Sequence, residues 1–199
     1  MPLKTVTLRG ALCLLRAFRT EELDLLLVAR ATAAGFGGVR ETGGRPREQL
    51  RRRIETSGRV HQGWLEFAIE VDGRLVGDVQ ARRPARALPP GVWELGIELY
   101  GTACRGQGIG TEAVALITEH LFTAEAAGRV QASTDVENAP MRAVLRRLGF
   151  TEEGVLRDFM PDTAPNGPRH DYVMVGVTQD EWAASRAART AARAAATRR

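Results

Sequence analysis

Apolar and polar residues alternate along this chain with two distinct rhythms. In WLEFAIEV, Leu65, Phe67, Ile69 and Val71 turn one way and Glu66 and Glu70 the other, the period of a strand with one buried face. Asp72-Gly73 makes a tight hairpin turn, and RLVGDVQA returns as the partner strand. A proline-rich loop (Pro84, Pro89, Pro90) leads to VWELGIELY, which alternates again, and RVQASTDV reads as a further strand. Residues 5–18 carry apolar runs of strand length broken by Arg9-Gly10. Two more strands, at about 153–158 and 171–177, flank a Pro/Gly loop.

The second rhythm is helical. Thr20 is placed as an N-cap, with Glu21 and Glu22 in the first turn and Leu23, Leu26 and Leu27 on the apolar face. After a glycine-rich loop (ATAAGFGGVRETGGRP), Leu50 and Ile54 mark a helix over about 47–57. Val114, Ile117, Leu121 and Ala124 mark another that ends near Gly128. Met141, Val144, Leu145 and Leu148 follow at i, i+3, i+4 and i+7, with Gly149 as the natural C-cap. No internal repeat and no second domain is visible.

Composition narrows the class. With 44% hydrophobic and 26% charged residues, the 199-residue chain reads as one globular domain. No run of about 18 apolar residues exists and the N-terminus lacks an apolar signal core, so a cytoplasmic protein with no membrane partner is expected. Cys13 and Cys104 are then expected to be reduced. The net charge of +4 is local: Trp182 to Arg199 holds five arginines and no acid, which leaves 23 of 28 basic residues against 24 acidic ones. The only lysine is Lys4, so arginine dominance is as consistent with a coding bias as with a phosphate-binding surface. A solvated Ala/Arg-rich tail is expected, and nucleic acid is not an expected partner. His61, His120 and His170 lie far apart, so no metal is expected; His120, on a predicted helix, reads as a surface or edge residue.

Between a strand and a helix sits RGQGIGTEA, with Gly106, Gly108 and Gly110 in five positions. Helix N-termini present unpaired N–H groups and a partial positive charge, and glycines let a phosphate approach the main chain. Two nucleotide motifs fit poorly. Counted from Gly106, G-x-G-x-x-G ends on Thr111; counted from Gly108 it ends on Ala113, with no acid about twenty residues on at a second strand's end. The Gly-Lys-Ser/Thr of a Walker A loop is absent.

Arg105-Gly106-Gln107-Gly108-Ile109-Gly110 resembles the R/Q-x-x-G-x-G/A signature of the GNAT acetyltransferase superfamily. ELGIEL before it and N-x-x-M-R-x-V-L-R-R-L-G-F after it complete a set similar to the ribosomal-protein N-terminal acetyltransferase-like branch. The resemblance implies an α+β fold, a mixed and mostly antiparallel sheet flanked by helices, over residues 10–182, with 183–199 as a basic tail. It implies acetyl-CoA as co-substrate, its pyrophosphate held by the main chain of Gly106, Gln107, Gly108, Ile109, Gly110 and Thr111, with Arg105 beside the phosphates and Leu99 at the preceding strand's end. It also implies a splayed strand pair, about 92–100 and 129–136, to take the pantetheine arm. Asn138 precedes Pro140 as an N-cap would, and the resemblance adds a contact with that arm or with an active-site water. A monomer or homodimer is expected.

Acetyl transfer needs a neutral amine. In VWELGIELY, Glu94, Gly96 and Glu98 share one face. Glu94 matches the glutamate that commonly begins this strand in the family and is the first choice as base; Glu98 is second. Two departures stand out. Met141 and Leu145 occupy the places where relatives carry the serine or tyrosine that protonates the CoA thiolate, so another group, water, Tyr172 or Ser133 is needed. The acceptor is expected to be a primary amine, either a protein N-terminus or a small amine such as an antibiotic or polyamine. A non-catalytic acyl-CoA-binding module and a nucleic-acid-associated protein acting through the tail are the alternatives.

Overall fold

A computed structural model describes residues 5–32, 47–83, 88–162 and 167–197. Lys4, Pro84, Arg198, Arg199 and the expected glycine-rich loop beyond Thr32 lie outside them. The strands are β1 (Leu8–Arg9), β2 (Leu14–Arg16), β3 (Trp64–Val71), β4 (Arg74–Arg82), β5 (Val92–Leu99), β6 (Arg129–Asp135), β7 (Thr151–Pro161) and β8 (Arg169–Thr178). They form one sheet in the order β1-β2-β3-β4-β5-β6-β8-β7. β5 and β6 run parallel, and the other neighbouring pairs among the described strands are antiparallel. The helices are α1 (Leu23–Thr32), α2 (Arg47–Thr56), α3 (Ile109–Ala124), α4 (Ala139–Leu148) and α5 (Gln179–Thr197). The mixed, mostly antiparallel sheet flanked by helices is the one the sequence led us to expect.

The apolar strand positions make one face. Leu65, Phe67, Ile69, Val79, Trp93 and Leu95 pack there against Ile109, Val114, Ile117 and Leu121 of α3 and Leu145 and Leu148 of α4. Asp72 (φ 49°) and Gly73 (φ 76°) turn the β3–β4 hairpin with both central residues left-handed, the geometry that matches strand twist. Gly149 (φ 93°) ends α4, and the Phe150 N–H returns to the Leu145 carbonyl at 3.0 Å.

Four local expectations change. A 3-10 turn over Thr20–Glu22 precedes α1, and the cap position is Arg19, whose N–H donates to the Glu22 carboxylate at 2.8 Å. Glu66 and Glu70, outward by pattern, are held by arginines rather than left to bulk water. Arg53 of α2 holds Glu66, while Arg16 (2.6 Å) and Arg19 (2.7 Å) hold Glu70. Arg16 also binds Glu22 at 2.5 Å. Burial pushes the Glu22 carboxyl up, but hydrogen bonds from Arg16 and Arg19 outweigh it and hold the group below its usual range. His120 is not a surface residue. It is 9% exposed, edge-on to Phe67 with ring centroids 6.3 Å apart, and burial lowers its pKa against the opposing pull of Glu125.

The fourth change concerns the tail, because α5 continues unbroken across position 183 and its first half is docked. Trp182 is 3% exposed and donates to Glu119 at 2.7 Å, and Arg189 stacks over its ring at 4.7 Å while donating to the Leu148 carbonyl at 2.8 Å. Trp182→Ala empties a buried aromatic site and is expected to destabilise the protein by about 3 kcal/mol or more. Removal of residues 190–199 is expected to leave the melting temperature nearly unchanged. Thermal unfolding of the two variants side by side checks where the folded unit ends.

Candidate functional site

The glycine stretch lies at the C-terminal end of β5. Gly108 takes φ 85° at the N-cap of α3, and no side chain caps the helix there. The first intrahelical bond shown at this end is Glu112 N–H to the Gly108 carbonyl, 3.0 Å. The N–H groups of Ile109, Gly110 and Thr111 therefore point outward without a helical partner. Gly106 (φ 74°) is open: a Cβ built there would meet nothing within 4 Å. Below the turn, Ile109 is buried in the core and Gly110 sits over Leu99, a Cβ there lying 3.7 Å from Leu99 Cδ1. Gln107 turns its amide back to the Ala103 carbonyl (2.7 Å), and Arg105 is exposed beside it. The result is a cradle of main-chain donors on a fixed helix end.

The cradle overlooks a gap in the sheet. β5 and β6 pair only at Val92–Arg129, Trp93–Val130 and Glu94–Gln131. Beyond Glu94 the strands part, as the expected splay requires. Asn138 stands across the gap, at the start of α4. Its carbonyl oxygen accepts from Met141 N–H at 3.2 Å and its amide donates to Thr134 Oγ1 at 3.1 Å, so its N-cap role is in place.

Strand registers bring the other candidates onto one polar face. Glu94 is the last paired residue of β5, at the apex of the gap, and Arg82 donates to its Oε1 at 2.5 Å. Glu98 lies directly across from Asp78 of β4, which is 3% exposed and accepts a hydrogen bond from the Tyr100 hydroxyl. Arg82, Asp78 and Tyr100 were not singled out by the sequence; the alternation of β4 carried the signal, since a charge on each side of a hairpin shares a face when the registers match. On the far side of the gap, Gln131 pairs with Glu94, which places Ser133 and Asp135 on the same face. Tyr172 faces Asp135, Met174 faces Ser133, and the Asp135 carboxylate also reaches His170 Nδ1 at 3.1 Å. Among the described residues no three His, Cys, Asp or Glu side chains gather as a metal site, and no described helix is long and apolar enough to cross a membrane.

Residues 13–151 match the family model of the acetyltransferase (GNAT) domain, well over half of the chain. The chain belongs to the GNAT acetyltransferase family. Over 90 residues it is 36% identical to the uncharacterized N-acetyltransferase p20 of Bacillus licheniformis, a match covering 45% of this chain and 48% of that protein. The matched stretch thus spans about half the length of that curated relative. Among solved structures it resembles Mycobacterium smegmatis RimJ in complex with CoA-disulfide (TM-score 0.68, 26% identical, 90% of this chain and 89% of that one). It also shares its fold with RimL, a ribosomal L7/L12 alpha-N-protein acetyltransferase, in complex with coenzyme A (TM-score 0.71, 20% identical, 88% of this chain and 99% of that one).

For a GNAT domain, the departures at Met141 and Leu145 now have a packing context. Leu145 is 1% exposed inside the core beneath α4, and Met141 packs half-buried against the same core. Tyr172, 4% exposed, packs its ring against Phe159 with centroids 5.7 Å apart. Burial, reinforced by Asp135, raises its pKa. The neutral phenol is thus favoured by folding, a stabilisation complete below the ordinary value near ~10 and lost as pH rises through the higher folded value. The chain has two tyrosines, so in a Tyr100→Phe variant the ultraviolet phenolate signal belongs to Tyr172. It is expected to appear only above that ordinary value, and titration at it would contradict the buried placement.

Proposed function

We propose that this protein moves an acetyl group from acetyl-CoA directly to a primary amine, either a peptide N-terminus or a small-molecule amine. The observation that carries the reading is the uncapped N-terminus of α3, opened by Gly106 and Gly108, beside strands that part after Glu94. The fit is chemical: three outward amides and the helix dipole suit a pyrophosphate, and charge-assisted hydrogen bonds contribute roughly 1.5–3 kcal/mol each. Gly106 to Thr111 and Arg105 would hold the phosphates, and Leu99 and Asn138 would flank the arm. Acetyl-CoA, when bound, supplies a thioester carbonyl carbon that the amine attacks, a C–N bond forming as the C–S bond breaks.

The chain's own work is to hold that geometry and to take the amine's proton. At pH 7 a free α-amine costs about 1.4 kcal/mol to deprotonate and a lysine-like amine about 4.6 kcal/mol. Glu94 is the first choice to accept the proton through water, because it stands at the apex of the gap; Arg82 engages Oε1, which leaves Oε2 for the water. Glu98, opposite Asp78, is the second.

Two measurements test this reading. CoA should raise the melting temperature, since it binds the native state alone, and Gly108→Glu should abolish that rise by placing bulk and negative charge in the cradle. Gly101→Ala, a left-handed glycine (φ 81°) with open space around it, introduces similar backbone strain and should keep CoA binding. Unchanged CoA affinity in a folded Gly108→Glu protein would remove the assignment.

The second is kinetic. Glu94→Gln should lower kcat for an alkylamine roughly a hundredfold and shift the acidic limb of the pH–rate profile, with CoA affinity intact. The loss should be milder for an α-amine, whose free form a pH rise of about one unit supplies. Wild-type rates in Glu94→Gln, Glu98→Gln and the double variant at pH 7 would show that neither carboxylate is the base.

A further inference from the structure

Glu112 occupies the first turn of α3, where an acid ordinarily faces water and the helix dipole. Here it is turned onto the tip of the β1–β2 hairpin. Its Oε1 accepts from the Ala11 N–H at 2.8 Å, and its Oε2 from Leu12 at 2.7 Å and Cys13 at 2.8 Å. Three successive main-chain donors converge on one carboxylate, as they do in anion-binding nests. Burial pushes this carboxyl up, yet the N–H groups of Leu12, Ala11 and Cys13 prevail and hold it below the usual range. Gly10 makes the approach possible, because a Cβ there would lie 2.2 Å from Oε2.

The same tip touches the phosphate cradle from a second side. Leu12 is 49% exposed, and a Cβ on Gly108 would lie 3.2 Å from its Cδ1. The hairpin therefore braces the left-handed N-cap with an apolar side chain, and Glu112 ties that brace to the helix the N-cap begins. Loosening the carboxylate would do two things at once. It would free Leu12 from Gly108, and it would release a negative charge one turn from where phosphates bind. Both weaken an anion site without touching the amine or the proton acceptor.

We propose that Glu112 is a positioning residue for coenzyme A, acting through the Gly10–Cys13 hairpin tip; this rests on the reading of Gly106–Thr111 as the phosphate cradle. The test uses the full chain, with CoA affinity by calorimetry, melting temperature, and KM separately from kcat. Glu112→Ala should weaken CoA binding by about tenfold or more, and Gly10→Ala, which displaces the carboxylate by contact, should do the same. The KM for acetyl-CoA should rise in step, while kcat at saturation and the acceptor KM stay within about twofold. Glu112→Gln, which keeps an acceptor oxygen, should recover part of the affinity. Leu12→Ala loses no main-chain bond, so it keeps the test alive if the other variants fail to fold; it should also weaken CoA. Lower melting temperatures with unchanged CoA affinity in these variants would overturn the proposal and leave a structural clamp. If the wild type itself binds no CoA, the cradle reading falls first and the positioning role with it.

Discussion

The seam between β5 and β6 governs this molecule. Three residue pairs join strands that then separate, so two antiparallel half-sheets, β1–β5 and β6–β8, share very little main-chain bonding. What replaces the missing ladder is one continuous apolar core. Trp93 and Val130, paired at the seam and both fully buried, meet Ile117 and Leu121 of α3 and Leu148 of α4. Burial of this kind is worth roughly 25 cal/mol per Å² and is non-directional, so it tolerates a gap that hydrogen bonds cannot span. Past Glu94 and Gln131 no β5–β6 ladder joins the facing edges of the two strands among the described residues. Main-chain groups on such edges need water or an extended polar ligand. The gap is thus open to water or to such a ligand, and its mouth lies by the N-terminus of α3, where Gly110 sits over Leu99 and Ile97.

Charge is distributed around this seam in an ordered way. On the polar face under α1 and α2, each carboxylate meets an arginine: Glu66 with Arg53, Glu70 and Glu22 with Arg16. Removing one partner of such a buried pair generally costs about 3–5 kcal/mol, so these acids are committed to the scaffold. Toward the seam the pattern changes. Glu94 shares Arg82 across the hairpin, while Glu98 has another acid, Asp78, directly opposite. Like charges in register are unfavourable by themselves. The hydrogen bond that Asp78 accepts from the Tyr100 hydroxyl offsets part of that repulsion.

Periodicity made most of this legible. The alternation of β3, β4 and β5 placed Glu94 and Glu98 on one face, and the apolar rhythm of α3 and α4 identified the core. The glycine spacing located the cradle, and only the family resemblance pointed to the splay, because no local pattern reports the loss of a ladder between strands thirty residues apart. Charged residues were the hardest to place. Glu66 and Glu70 look solvent-facing because their arginine partners come from other elements, and Glu112 gave no signal at all, its partners being main-chain N–H groups about a hundred residues away. His120 misled for a related reason: one titratable residue on an amphipathic helix gives no sign of which edge it occupies. The docking of α5 was not legible, because its arginines suggested solvent whereas Arg186 and Arg189 join Trp182 in holding the helix to Glu119 and Leu148.

The absence of a serine or tyrosine on α4 fits the energetics of acetyl transfer. A departing thiolate has an ordinary pKa near ~8.5, so its protonation at pH 7 is downhill by about 2 kcal/mol without any dedicated acid. Removal of the proton from a lysine-like amine would be uphill by more than that, so a base matters more than an acid. Leu145, committed to the core at 1% exposure, shows the position used for packing instead. Tyr172, on β8 with its ring 5.7 Å from that of Phe159, is kept neutral by burial and by Asp135 at the same pH.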